Sequence, residues 1–298
     1  MEPFGARLVE AVAKRGPLCI GIDPHASLLT RWGYGDDLDG LARFSRTVVD
    51  TLGDFAAVFK PQSAFYERFG SGGIAVLEST IRQLQAAGAL VLLDVKRGDV
   101  GSTMQAYADA YLDPSSPLAV DAVTASPYPG FGALRPMIDM ALEHGGGVFV
   151  LALTSNPEGP TVQHSRTPDG RTVAQLMIDE IAQVNRGGYP LGSIGAVVGA
   201  TVGETGHDLT LINGPILAPG IGAQGATAAD LGRVFGAALP LVLPAVSREI
   251  LSAGPEPADL RAAAGKVLSA CQDILAGHAA HRVRPMVDPG VAETGVDR

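Results

Sequence analysis

The sequence predicts an α/β chain folded as a (β/α)8 TIM barrel, on three observations. Eight short apolar runs alternate with stretches of helical periodicity, the pattern of repeated strand–helix units around a parallel sheet. Charged or glycine-rich residues follow several of those runs directly, as they do where parallel strands open into loops that hold chemistry. The chain has 298 residues, 46% hydrophobic and only 5% aromatic. Barrels reach that length as one domain, and the composition suits a core of Val, Leu, Ile and Ala.

Met1 to Lys14 carries Glu2, Arg7, Glu10 and Lys14 among apolar positions and reads as an amphipathic helix with no signal-peptide core. Leu18 to Ile22 is the first strand, running into Asp23-Pro24-His25. Asp-Pro is a turn dipeptide, so Asp23 alone need only start a loop. Leu38 to Gly53 sets Leu41, Phe44, Val48 and Leu52 on one side of a helix. Ala56 to Phe59 is the second strand, followed by Lys60, which in isolation reads as a lysine snorkelling to solvent. Ile74 to Ala87 is a helix with Gly88 as its C-cap. The third run, Ala89 to Leu93, enters Asp94-Val95-Lys96-Arg97-Gly98-Asp99. Residues two apart on a strand share a face, so Asp94 and Lys96 leave it together. Gly101 to Leu112 then has Met104, Tyr107, Ala108 and Tyr111 at helical spacing.

Ala119 to Thr124 and Gly147 to Leu153 are strands four and five, with a helix from Phe131 to Glu143 between them. Strand five runs into Thr154-Ser155-Asn156-Pro157. Glu158 to Gly170 is too long and too polar for an ordinary connection, the character of a lid or a disordered loop. A helix from Thr172 to Asn185 follows, and Ile194 to Val198, Ile216 to Ala218 and Leu239 to Leu243 complete the strands. Pro219-Gly220-Ile221-Gly222-Ala223-Gln224-Gly225 follows strand seven and Ser247-Arg248 follows strand eight. Barrels of this type bind phosphate with those two loops. Glycines let successive amides face an anion, and Arg248 offers a planar fork to phosphate oxygens. A glycine-rich turn is equally an ordinary strand-to-helix connection. Pro257 to Leu275 is a terminal helix, so residues 1–277 read as one barrel domain and 278–298 as a frayed tail.

Lys and Arg number 22 against 31 Asp and Glu, a net charge of -9. That disfavours nonspecific binding to nucleic acid or anionic membranes and confines any phosphate site to a local pocket. Cys19 and Cys271 are too few for a disulfide framework or a thiolate metal site. No apolar stretch reaches membrane-spanning length, and a cytoplasmic protein is expected.

Taken alone, Asp94 and Lys96 read as a solvated ion pair and Asp99 as a helix cap. The full string Asp94-Val-Lys96-Arg-Gly-Asp99-Val-Gly-Ser-Thr103, however, resembles the signature of the orotidine 5'-phosphate decarboxylases. Lys96-Arg-Gly-Asp99 and Lys60-Pro-Gln-x-Ala-x-Tyr-Glu67 resemble that family's longer, second subgroup. The resemblance covers nearly all of the chain, with motifs at five strand ends. It implies decarboxylation of orotidine 5'-phosphate to UMP in de novo pyrimidine biosynthesis, without metal or cofactor. It also implies a catalytic charge network of Lys60, Asp94, Lys96 and Asp99. Asp23 would contact substrate hydroxyls and Ser155 the pyrimidine ring, with Thr154 and Gln163 as alternatives. Gly222, Gln224, Gly225 and Arg248 would grip the phosphate. The resemblance further implies a homodimer in which Asp99 and Thr103 reach into the neighbouring subunit's site.

The chemistry agrees with the residue types. Losing CO2 from C6 leaves an electron pair in the ring plane, where the pyrimidine carbonyls cannot delocalise it. No Cys/His cluster suggests a metal and no Gly-x-Gly-x-x-Gly follows the first strand, so stabilisation is expected from fixed charge. Lys96 is the candidate ammonium beside C6. Two competitors remain at this point: a metal-dependent sugar-phosphate decarboxylase or aldolase, which shares the Asp-x-Lys-x-x-Asp string, and a non-catalytic barrel that binds a phosphorylated nucleotide. The Lys60 segment argues against the first. The complete charge set argues against the second, since binding alone does not require it.

Overall fold

Among the described residues eight strands pair in chain order and the last returns to the first. They are β1 (Cys19–Ile22), β2 (Val58–Pro61), β3 (Leu90–Arg97), β4 (Ala122–Ala125), β5 (Gly147–Leu153), β6 (Ile194–Val198), β7 (Ile216–Pro219) and β8 (Val242–Val246). Every neighbouring pair is parallel. The computed structural model describes residues 1–282 apart from 204, 223, 224 and 226. Its helices are α1 (Phe4–Arg15), α2 (Ala26–Arg31), α3 (Leu38–Leu52), α4 (Ala64–Glu67), α5 (Gly70–Ala86) and α6 (Gly101–Leu112), followed by α7 (Arg135–His144), α8 (Gly159–Gln163), α9 (Val173–Val184), α10 (Ala228–Phe235), α11 (Arg248–Leu251) and α12 (Pro257–Arg282).

Strand alternation sorts the core into two layers. Ile20, Ile22, Phe59, Val91, Leu93, Val123, Val148 and Val150 belong to the layer shared with the surrounding helices. Cys19, Val58, Leu90, Leu92, Phe149, Val197, Leu217 and Leu243 fill the barrel interior, together with Phe4 and Leu8 of α1. Phe4 meets Phe149 edge-on, with ring centroids 5.9 Å apart. Beside it the Gly5 N–H donates to Ser193 Oγ at 3.2 Å, just before β6 begins. So α1 closes the N-terminal mouth. The inward parity of Val58 on β2 and of Leu90 and Leu92 on β3 continues to Lys60 and Asp94, which therefore face inward at the opposite mouth.

Several boundaries differ from expectation. Strand eight is Val242–Val246 rather than Leu239–Leu243, because residues 236–241 form a 3-10 turn. The apolar run from Ala237 to Val246 has no alternation to mark where pairing starts. Its register is set by β7, with Ile216 opposite Val242 and Pro219 opposite Ala245. Strand three runs four residues past Leu93. The helix expected from Phe131 opens as a 3-10 turn, Phe131–Leu134, before α7. The expected lid, Glu158 to Gly170, contains α8, and just beyond it a bridge joins Arg166 to Thr172. Helices α2 and α4 are too short to show a period in sequence. Helix α12 continues to Arg282, through the first residues of the expected tail, and 283–298 lie outside the described residues.

Candidate active site

Three charges alternate across the C-terminal mouth. Lys60 Nζ donates to Asp94 Oδ2 at 2.9 Å and Lys96 Nζ to Asp94 Oδ1 at 2.6 Å. Lys60 and Asp94 are each 8% exposed, whereas the Lys96 side chain is 44% exposed and opens to the cavity. Burial alone would drive Asp94 to its neutral form, but the Lys60 and Lys96 ammonium groups override it and hold its carboxyl well below the usual carboxylate range. Burial would likewise strip the Lys60 proton. Asp94 and then Asp23 reverse that, and the ammonium is held above the ordinary lysine range. Cys19, beneath them, is a neutral filler, since burial pushes its thiol up to about 12.

Lys60, Asp94 and Lys96 line one cavity of about 650 Å3, together with Asp23, His25, Gln62, Ser155 and Arg248, over an apolar floor of Leu151, Val197 and Leu217. A smaller niche continues from Asp23 and Lys60 past Gly220 and Ser247 to Arg248. Arg248 sits on the surface where β8 gives way to α11. Asp23 Oδ1, Gln62 Oε1 and Ser247 Oγ are buried without a hydrogen-bond partner. Unpaired buried polar atoms are costly, and their position at the cavity marks it as a place where a polar ligand supplies the missing bonds. Ser155 reaches the mouth because residue 199 is glycine: a Cβ there would stand 2.1 Å from its Oγ. Among the described residues no three His, Cys, Asp or Glu side chains gather as a metal site.

Asp23, Lys60, Asp94, Lys96, Ser155 and Arg248 are thus brought together as expected. Within one chain Asp99 and Thr103 are not. Asp99 accepts the Val100 N–H at 2.8 Å, ahead of α6, and Thr103 is exposed on that helix. Gly222 and Gly225 line a separate pocket with Glu249 and Lys266. Gln224 lies outside the described residues. Gln163 faces Thr154 rather than the cavity: its Oε1 accepts the Thr154 N–H at 3.0 Å and its Nε2 donates to Thr154 Oγ1 at 2.7 Å. Sequence reasoning gave no role to His25, whose ring packs edge-on against Phe65 at 4.2 Å on the cavity wall. It also missed Thr124, a β-branched strand residue with nothing in its context to mark it. Arg97 and Glu67 pair at 2.6 Å, which joins the two signature segments physically.

Residues 16–263 match the orotidine 5'-phosphate decarboxylase / HUMPS family. A Salinispora arenicola protein described as orotidine 5'-phosphate decarboxylase is 71% identical over 277 residues, 93% of this chain and 100% of that one. A Streptomyces coelicolor relative of the same description is 62% identical over 267 residues, 89% of this chain and 96% of its own. A Streptomyces avermitilis crystal structure, provisionally described as the same enzyme, superposes with a TM-score of 0.91 at 60% identity, covering 93% and 97% of the two chains. Leishmania donovani OMP decarboxylase superposes at 0.68 with 33% identity, over 93% and 99%. The array of alternating charges therefore sits in a chain that belongs to the orotidine 5'-phosphate decarboxylase / HUMPS family.

Proposed function

We propose that this protein decarboxylates orotidine 5'-phosphate to UMP in pyrimidine biosynthesis, with its own side chains supplying the catalysis. The observation that carries this is the Lys60–Asp94–Lys96 array at the cavity, in a chain that matches decarboxylases along most of its length. The C6–carboxylate bond breaks, CO2 departs, and the electron pair stays on C6 in the ring plane. The Lys96 ammonium stabilises that pair and then gives C6 a proton, leaving a neutral amine that solvent reprotonates. Asp94 fixes the direction of the ammonium, and Lys60 fixes Asp94 from the other side. Because these dipoles are aimed before substrate arrives, no reorganisation is needed at the moment of reaction.

In this reading Asp23 and Gln62, each with an unpaired buried oxygen, bond the ribose hydroxyls, Ser155 the pyrimidine edge, and Arg248 the phosphate. Phosphate binding far from C6 supplies binding energy that holds the pyrimidine against the Lys96 ammonium. We assign the chain to the longer, second subgroup through its Lys96-Arg-Gly-Asp99 and Lys60-Pro-Gln segments. The working unit is a cytoplasmic homodimer in which Asp99 and Thr103 complete the neighbouring subunit's site. Val100, 59% exposed, and Tyr128, 85% exposed, lie in the loops after β3 and β4 and suit such a contact.

The test is a spectrophotometric assay with orotidine 5'-phosphate in EDTA. Loss of substrate absorbance with stoichiometric UMP is expected. No loss of orotidine 5'-phosphate, together with chelator-sensitive activity on a ketogulonate or pentulose phosphate, would instead favour a sugar-phosphate enzyme, and tight UMP binding without turnover a non-catalytic barrel.

A further inference from the structure

The ladder between β3 and β4 breaks at the catalytic charges. Leu93 pairs with Val123 and Arg97 with Ala125, so Asp94, Val95 and Lys96 together face the single residue Thr124. Bulges of this kind re-aim side chains. Lys96 has a φ of 46°, in the left-handed region that residues with a Cβ avoid. Such a backbone persists only where its surroundings over-determine it.

One side chain ties this backbone directly to the charges. The Lys96 N–H donates to Thr124 Oγ1 at 2.9 Å. The same hydroxyl donates to Asp94 Oδ1 at 2.8 Å, the oxygen that also receives Lys96 Nζ at 2.6 Å. A peptide N–H can only donate, so the Thr124 proton has to point at the carboxylate. The result is a closed loop running from the Lys96 main chain through Thr124 and Asp94 to the Lys96 ammonium. Thr124 is 1% exposed, and this circuit accounts for its polar group.

We propose that Thr124 is a positioning residue for the decarboxylation: its hydroxyl locks the strained backbone of Lys96 and the rotamer of Asp94 together, which aims the ammonium at C6. The proposal rests on the decarboxylase reading above. Thr124 acts through Asp94 and Lys96, so its removal should slow the chemical step more than it weakens binding of a nucleotide that lacks the leaving group.

The experiment uses the full chain with Thr124→Val, which keeps the shape and removes the hydroxyl, alongside Thr124→Ser and Thr124→Cys. Loss of hydrogen bonds to charged groups predicts that Thr124→Val lowers kcat about ten- to a hundredfold. KM and the dissociation constant of UMP should stay within about threefold of wild type, and Thr124→Ser should recover most of kcat. A fall in kcat of less than about tenfold overturns the proposal, as does an equal loss in UMP affinity. If Thr124→Val does not fold, Ser against Cys decides, because the two side chains are similar in size and the thiol is the weaker donor. Equal kcat for Ser and Cys overturns the proposal; a clear advantage for Ser supports it. Wild type in the same assay separates the two levels: no UMP from wild type sinks the decarboxylase reading, whereas an active wild type with unaffected variants sinks only the role of Thr124.

Discussion

Replacing Lys60 with Met removes one of the two cations on Asp94 and keeps the aliphatic length. Asp94, 8% exposed in the wild type, keeps the Thr124 hydrogen bond but only one cation, Lys96, whose side chain is 44% exposed and compensates less. Breaking a buried pair from one side costs about 3–5 kcal/mol. At about 2 °C per kcal/mol for a chain of this size, Tm should drop about 6–10 °C at pH 7. The effect has a pH signature. In the wild type the folded Asp94 carboxyl is held below its ordinary range, chiefly by Lys60 and Lys96 acting against burial. Its stabilisation is therefore complete above the unfolded value of about 3.9 and is lost as pH falls toward the depressed folded value. In the variant the folded carboxyl rises and that contribution is already missing. The stability gap should be full at pH 7 and narrow below about pH 4, by about 1.4 kcal/mol per unit. The raised Lys60 value adds stability that is lost only as pH climbs past about 10, so it does not blur this window. Urea unfolding at pH 7 and pH 3, followed by circular dichroism, measures both. A gap that is absent at pH 7, or unchanged at pH 3, would refute a buried charge network centred on Asp94.

Two further outcomes are expected. Lys96→Ala should abolish turnover while Tm moves by only a few degrees; mixing it with inactive Asp99→Ala protein should restore about a quarter of wild-type activity if each site borrows Asp99 from its neighbour, and no recovery after subunit exchange would remove Asp99 from that role. Arg248→Ala should lower kcat/KM by about a hundredfold or more through loss of a charge-assisted phosphate contact, and unchanged kinetics would remove Arg248 from the site.

The barrel was legible because each strand–helix unit repeats the same two periodicities, and β5, β6 and α6 fall on the expected residues. The site was legible in part for the same reason: Lys60 and Asp94 follow the inward parity of Val58 and Leu92, so a correct strand assignment already points them at the cavity. Lys96 was correctly paired with Asp94, but the route differs. A regular strand was expected and a bulge delivers the contact, since Asp-Val-Lys contains no glycine to announce a left-handed residue. Thr124 was invisible because its partners come from another strand and are fixed only by register. Strand eight slipped because a buried parallel strand has no polar face. Asp99 and Thr103 stand apart from the cavity of their own chain, and only the homodimer proposed above would bring them to a neighbour's site.

The apolar packing of Phe4, Leu8 and Phe149 under the charges makes the reaction chamber single-ended. Substrate, CO2 and UMP all share one doorway, so the gas has to slip past a nucleotide still in place or wait for it to go.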